Sequence, residues 1–346
     1  MAQFDSKTFN AEVFGKYVER IPDLRKNELL KSGALVSRQE LANLFDEQTG
    51  GNYATIPMYG LIDGTPINYD GVNNITATST KTYSQSVVVV GRAKAWTEKD
   101  FAYDITGKTD FMSNVAQQVA KYWEDVDQDT LLHILKGIFS MTGTENLKFV
   151  NGHTTDITSA TVKTVDATTL NNAIQKASGD NKSAFTVAIL HSQVATNLEN
   201  LQVLDYYKYT DENGVQRQLN IGSWNGRTVL VDDSLPVDTT GTKPVYTSYV
   251  LGQNAFGMVD CGAKVHYEMY RNPLTNGGQD TLITRRRKAF IPYGISFTKS
   301  SMVSLSPTDA ELEIAANWSL VNDGAANNAS YIDHKSIPIA QIKSEG

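Results

Sequence analysis

Gly107-Lys108-Thr109 ends the way a phosphate-binding loop ends, where backbone N–H groups cradle phosphate oxygens and the lysine reaches the outer ones. The rest of that motif is missing. Ala102 stands where its first glycine belongs, and no apolar strand leads in. Asp125, Asp127 and Asp129 have the spacing of the first three ligands of a calcium loop. Thr130 then replaces the glycine of the sharp turn and Lys136 takes the place of the bidentate glutamate, so the triplet reads as an exposed acidic helix face. The five histidines, His133, His153, His191, His266 and His334, share no metal-ligand spacing and read as surface or capping residues. Neither Gly-x-Ser-x-Gly nor His-Glu-x-x-His occurs. Cys261 is the single cysteine, and with His266 five positions on along a predicted strand it reads as an inert thiol. No catalytic residue, cofactor or metal is expected.

One dense basic run remains, Arg285-Arg286-Arg287-Lys288. On a strand its side chains alternate between faces, so it cannot line a one-sided groove. It reads either as a solvated edge strand protected against aggregation or as a contact with an acidic patch on a neighbouring subunit. Contact with phosphates ranks behind the subunit contact.

Composition narrows the class. The 346 residues suffice for one large or two ordinary domains, and 40% hydrophobic with 20% charged residues marks a globular chain. A formal net charge of −7 argues against tight, sequence-independent nucleic-acid binding over the whole surface. One cysteine excludes an intrachain disulfide framework. Met1 to Lys7 lacks the apolar core of a signal peptide, and no run approaches the roughly eighteen apolar residues of a membrane span. The expectation is a soluble protein made in a reducing cytoplasm, with no membrane partner.

The elements that position these residues follow an unusual order. Phe9, Val13 and Tyr17 share a helix face that Pro22 ends. Arg38 to Asp46 reads as a second short helix, with Ser37 and Glu40 as a capping box. Both are too thin to stand alone and ask for another surface to lie on. From Asn52 to Asp104 a polar, Gly-rich stretch reads as a long hairpin with about twenty residues per arm, able to reach roughly 60 Å at ~3.3 Å per residue. Lys81 lies near its expected tip. Asp110 to about Ile138 then reads as one long helix with an apolar stripe through Phe111, Val115, Val119, Tyr122, Val126, Leu131, Leu132 and Leu135.

Beyond Val165 helix and strand alternate. Ala167 to Ser178 is a helix, and the apolar run Phe185 to Leu190 is a strand covered on both faces. His191-Ser192 caps a helix with Val194, Leu198 and Leu201 facing in. Asp211 to Gly214 and Asn225-Gly226 are hairpin turns, and strands follow at Thr228–Val231, Tyr246–Leu251 and Ala263–Met269. Asp280–Arg287 and Ala289–Thr298 read as late strands that pack back against the long helix, and the tail carries little core material.

This order resembles the major capsid proteins of tailed phages, the Hong Kong 97 type fold that encapsulins share. The likeness covers nearly the whole chain. It rests on the entry Gly51 to Pro57 and on the phrases Ala188–Ser192, Trp224–Asp233 and Ala289–Phe297, taken in order. The resemblance implies an α+β chain divided into an N-terminal arm (1–50), an extended loop over the adjacent subunit (51–104), a peripheral domain with a spine helix (105–160 with 276–346) and an axial domain (161–275). It implies copies that assemble as hexamers and pentamers into an icosahedral head around double-stranded DNA, without sequence-specific binding. A separate scaffolding protein is expected, since the arm starts within ten residues of Met1. A portal and decoration proteins are the other implied partners, and the virion is the implied location. Candidate inter-subunit contacts are Lys81, Arg285, Arg286, Arg287 and Lys288; covalent cross-linking through Lys81 is not expected.

Three other readings compete. An encapsulin-type compartment shell is the nearest. An enzyme built around Leu190–His191–Ser192 predicts a pocket there. A carbohydrate- or surface-binding module would use Tyr206, Tyr207 and Tyr209. Removing residues 60–95 discriminates, because only a shell protein needs that stretch.

Overall fold

A single helix of 29 residues, about 43 Å long at ~1.5 Å per residue, lies between two sheets and shares a core with both. The computed structural model describes residues 33–42, 53–60, 65–72, 74–75, 77, 80–100, 111–210, 216–325 and 329–346. The Phe9–Tyr17 face, the Gly107 motif, the helix cap at Thr109–Asp110 and the Asp211–Gly214 turn lie outside the described residues.

Among the described residues three strands precede the helix: β1 (Leu35–Ser37), β2 (Tyr53–Tyr59) and β3 (Thr82–Lys99). Ser37 belongs to β1, and a turn of 3-10 helix follows over Gln39–Leu41 with no side-chain cap, so the expected capping box does not form; from residue 43 the expected Arg38–Asp46 helix lies outside the described residues. The hairpin is shorter than its composition suggested. Tyr53–Tyr59 pairs with Thr82–Val88, while Val89–Lys99 pairs with a strand far along the chain. The reason is the run Val87 to Val90: each residue is at most 4% exposed, so it belongs to a core and not to an arm.

The helix is α1 (Phe111–Phe139), followed by α2 (Thr144–His153), β4 (Thr154–Asp156) and α3 (Thr169–Ser178). On α1 the buried face runs through Val119, Trp123, Asp127, Thr130, Leu131, Ile134, Leu135 and Ile138. Tyr122, expected on that stripe, is 37% exposed. The stripe slips by one residue after Val119, where Trp123 and Asp127 are buried in place of Tyr122 and Val126.

β5 (Phe185–Leu190), α4 (Ser192–Asn200), β6 (Asp205–Thr210), β7 (Gln216–Trp224), β8 (Arg227–Val231), β9 (Val237–Asp238) and β10 (Val245–Gly252) come next. β5 is apolar on both faces for a visible reason. Val187 and Ile189 join the core under α1, and Ala188 and Leu190 join a second core with Leu170 and Ile174 of α3 and Val194 and Leu198 of α4. Leu201, expected to face in, is 53% exposed at the end of α4. Asn225 (φ 49°) and Gly226 (φ 76°) make the tight turn between β7 and β8, a left-handed pair that this dipeptide favours.

The last strands are β11 (Phe256–Asp260), β12 (Tyr267–Asn272), β13 (Gln279–Pro292), β14 (Ile295–Phe297), β15 (Trp318–Leu320) and β16 (Ile339–Glu345), with the short α5 (Asp309–Glu313) before β15. One sheet runs β1-β11-β13-β3-β2 with β12 also on β13; the other runs β4-β16-β10-β5-β8-β7-β6 with β9 on β10. The tail therefore departs from expectation. Ile337, Ile339, Ala340 and Ile342 are fully buried, and β16 lies between β4 and β10 inside the sheet of the 161–275 segment. Its alternating apolar residues face both cores.

Candidate assembly surfaces

The basic run sits on β13, which pairs with β3 on one side and with β11 and β12 on the other. It is an interior strand, so the solvated-edge reading fails. Its alternation holds. Arg286 places its guanidinium 5.3 Å from the Trp123 ring centre, and Lys288 forms an ion pair with Asp127, both on the α1 side. Arg285 turns the other way, donating to Glu268 of β12 at 2.9 Å. The Arg287 carbonyl accepts from the Cys261 N–H at 2.9 Å. Arg285, Arg286 and Lys288 thus have side-chain partners within their own chain.

Asp127 corrects a second expectation. It is 6% exposed, not part of a solvated acidic face. Burial, the largest influence, holds its carboxyl above the ordinary carboxylate value, against the pull of Lys288. A helix also cannot form the calcium loop that the aspartate spacing mimics.

Lys81 lies where the β2–β3 ladder ends, its carbonyl accepting from the Gly60 N–H at 2.8 Å and its side chain exposed. Beyond it the described loop residues 65–72 are all exposed, including Tyr69 at 91%. The ends of this loop are pinned, and its middle presents apolar side chains outward.

A third surface escaped the sequence reading. After β14 the chain forms a loop over 298–308 tied to the Glu311 carboxylate, which accepts from the N–H groups of Val303 (2.8 Å), Ser304 (3.1 Å) and Thr308 (2.9 Å). These bonds, with the Ser304 hydroxyl first among the causes, draw Glu311 down to about 2. Thr308 and Glu311 complete a capping box for α5. That Thr-x-x-Glu spacing was a legible signal.

His191, His153 and His334 have partners within the fold. His191 caps α4 by accepting from the Gln193 N–H at 3.2 Å. Cys261 is buried. His153 is 1% exposed, its Nδ1 2.7 Å from the Ile339 carbonyl and its Nε2 3.3 Å from His334 Nδ1, which overturns its assignment to the surface. Burial is the main reason it is lowered to about 4. Tyr206 donates to Glu199; the side chains of Tyr207 and Tyr209 lie outside the described residues. Among the described residues no cluster of three or more His, Cys, Asp or Glu could hold a metal, and no helix is long and apolar enough to cross a membrane.

Two mixed sheets on a shared helix, with a hairpin leading in and the last strand inside the second sheet, match solved phage capsids. The capsid of Ralstonia phage GP4 superposes with a TM-score of 0.56 at 9% identity, covering 100% of this chain and 95% of that one. The capsid of cyanophage Pam1 gives 0.54 at 12% identity, with 100% and 97% covered. No known family profile matches the chain. In sequence, the chain is 29% identical over 314 residues to the major capsid protein of Bacillus phage SPP1, covering 90% of this chain and 92% of that one. The fold is the Hong Kong 97 type capsid fold. With the sequence likeness, it supports a tailed-phage major capsid protein, and the encapsulin, enzyme and sugar-binding readings are not favoured.

Proposed function

We propose that this chain builds the wall of a phage head, its copies meeting as hexamers and pentamers that close an icosahedral shell around double-stranded DNA. The observation that carries the reading is the likeness to a major capsid protein along nine-tenths of both chains. Residues 1–50 are the arm, and the hairpin of 51–88 carries the loop laid over a neighbour, β3 from Val89 onward being bound into the chain's own sheet. Residues 105–160 with β13 to β15 are the peripheral part, and 161–275 with β16 the axial part. A separate scaffolding protein and a portal are its partners in the host cytoplasm, with decoration proteins on some shells. The finished location is the virion. The role is structural, with no bond made or broken by the subunit. Lys81 and the outward side chains of Arg285 and Arg287 are proposed contacts to neighbours. The net charge of −7 suits a wall that holds DNA without gripping it.

The test is co-expression with the neighbouring genes, read by negative-stain microscopy and light scattering. A companion variant replaces residues 61–80 with a two-residue Asn-Gly turn, which spares the buried β3 that a deletion of 60–95 would remove. Shells from the wild type and folded monomers from the variant are expected. A wild type that stays monomeric beside its genomic partners sinks the reading.

A further inference from the structure

Four Asn-Gly pairs stand in this chain, at Asn151, Asn213, Asn225 and Asn276. An asparagine before glycine is open to attack by its own backbone, because no Cβ on the next residue shields the amide nitrogen. The fold restrains two of the pairs. Asn151 and Gly152 lie in the last turn of α2, and a Cβ on Gly152 would stand 3.1 Å from the His334 ring, so that backbone has little room to turn. Asn225 Nδ2 donates to the Ala167 carbonyl at 2.8 Å, which ties its side chain to the segment before α3. Asn213 lies outside the described residues.

Asn276 has neither restraint. It sits in the turn between β12 and β13, exposed, with an exposed Gly277 beside it. Its φ of 53° is a left-handed value that a residue with a side chain adopts at a cost, and Gly277 (φ 79°) follows in the same region. The side-chain amide donates to Gln279 Oε1 at 3.0 Å, a bond between two surface side chains that water can replace. Asn276 also lies beyond the last rung of the ladder, Asn272 with Gln279, so turning its backbone breaks no strand pairing. The chain is anchored again at Gly278, whose carbonyl accepts from the Asp100 N–H at 3.1 Å.

We propose that Asn276 is a site of self-modification, deamidating in the folded chain ahead of Asn151 and Asn225. The Gly277 nitrogen bonds to the side-chain carbonyl carbon of Asn276, and the side-chain nitrogen leaves as ammonia, taking the Gly277 proton. Water then adds across one of the two C–N bonds of the five-membered imide, leaving aspartate or isoaspartate; nothing is oxidised or reduced. The turn already holds Asp100 and Asp280 on the guanidinium of Arg271, at 2.7 and 2.9 Å. Deamidation brings a third negative charge to that turn and removes the donor to Gln279. Leu274, two residues away, is 93% exposed, so the change falls on outward surface. The chemistry does not depend on the assembly reading. On that reading a finished head renews none of its subunits, and the charge accumulates with the age of the particle.

The test holds the purified full chain in mildly alkaline buffer and samples it over days by tryptic mapping, with isoaspartate read by methyltransferase labelling. Trypsin releases 272–285 as one peptide, and its other asparagine, Asn272, precedes Pro273, which has no N–H to attack with. Peptides 149–163 and 218–227 report on Asn151 and Asn225. Conversion at Asn276 is expected to run several-fold faster than at either in the folded protein. In guanidinium chloride, where the fold restrains none of them, the three rates are expected to converge. Asn276→Gln is expected to leave 272–285 without early isoaspartate, because the longer side chain closes its ring less readily. Equal rates in the folded protein, a gap that persists in guanidinium chloride, or isoaspartate at the wild-type rate in the Asn276→Gln peptide overturns the proposal.

Discussion

Asp127 of α1 and Lys288 of β13 form an ion pair with side chains only 9% and 12% exposed, directly beneath the long helix. The pair belongs to a register between unlike elements. Four residues along a helix rise about 6 Å, close to the ~6.6 Å spanned by two residues of a strand. Trp123 and Asp127 therefore meet alternate residues of β13. Trp123 Nε1 donates to Thr284 Oγ1 at 3.1 Å and lies under Arg286, while Asp127 takes Lys288. The contacts fix where the helix sits along the sheet.

Removing one partner strands the other. Asp127→Ala is expected to lose about 3–5 kcal/mol in urea unfolding, because Lys288 stays buried without a counter-charge. Replacing both, with Asp127→Leu and Lys288→Met, is expected to lose much less. Burial holds Asp127 above its ordinary value, so protonation favours the folded form and acid removes no stability through this group. Equal losses for the single and double variants would refute the account.

Gly137 tests how closely the helix is packed. A Cβ there would run into the Leu312 carbonyl and the Trp318 indole, whose Nε1 donates to that carbonyl at 2.7 Å. Alanine gains about 1 kcal/mol of helix propensity, but overpacking costs about 1–3 kcal/mol, and the backbone carbonyl cannot swing aside. Gly137→Ala is expected to lower the melting temperature. A rise would show that α5 gives way.

Glu311 sets an acid limb. Its folded value is depressed from 4.5 to about 2, so the stability it contributes is present above pH 4.5 and is lost as pH falls through about 2. Glu311→Gln is expected to flatten melting temperature against pH across that window and to speed hydrogen exchange at Val303 and Ser304. An unchanged acid limb would remove Glu311 as its source.

Much of the fold was legible in the sequence, and the failures share a cause. The long helix, the doubly buried strand Phe185–Leu190, the His191 cap and the Asn225-Gly226 turn follow from local pattern, and each is present. What local pattern hides is long-range pairing. Val87 to Val90 is core because β13 arrives from two hundred residues away. Asp127 is buried because a lysine meets it there, and only a stripe drawn through Val119, Trp123 and Ile134 would have passed through it. The tail reads as thin until β10 and β4 flank it. Of the expected contact residues, the sequence showed the alternation on β13 but not that half of it points inward. The loop that presents Val303 and Leu305 had a readable signal in its Thr308–Glu311 capping box and no sign of their exposure.

The place of β16 governs the timing of folding. On the ribosome β10 emerges long before its partner, and everything from Gly252 to Ile339 must be made before the gap beside it can close. At ~5–20 residues per second that is roughly four to seventeen seconds. During that interval an apolar strand, Val245–Gly252, waits with an unpaired edge, the kind of surface on which chains aggregate. In an infected cell making many copies at once, the rate of translation and the supply of chaperones would then bear on how many subunits ever reach a shell.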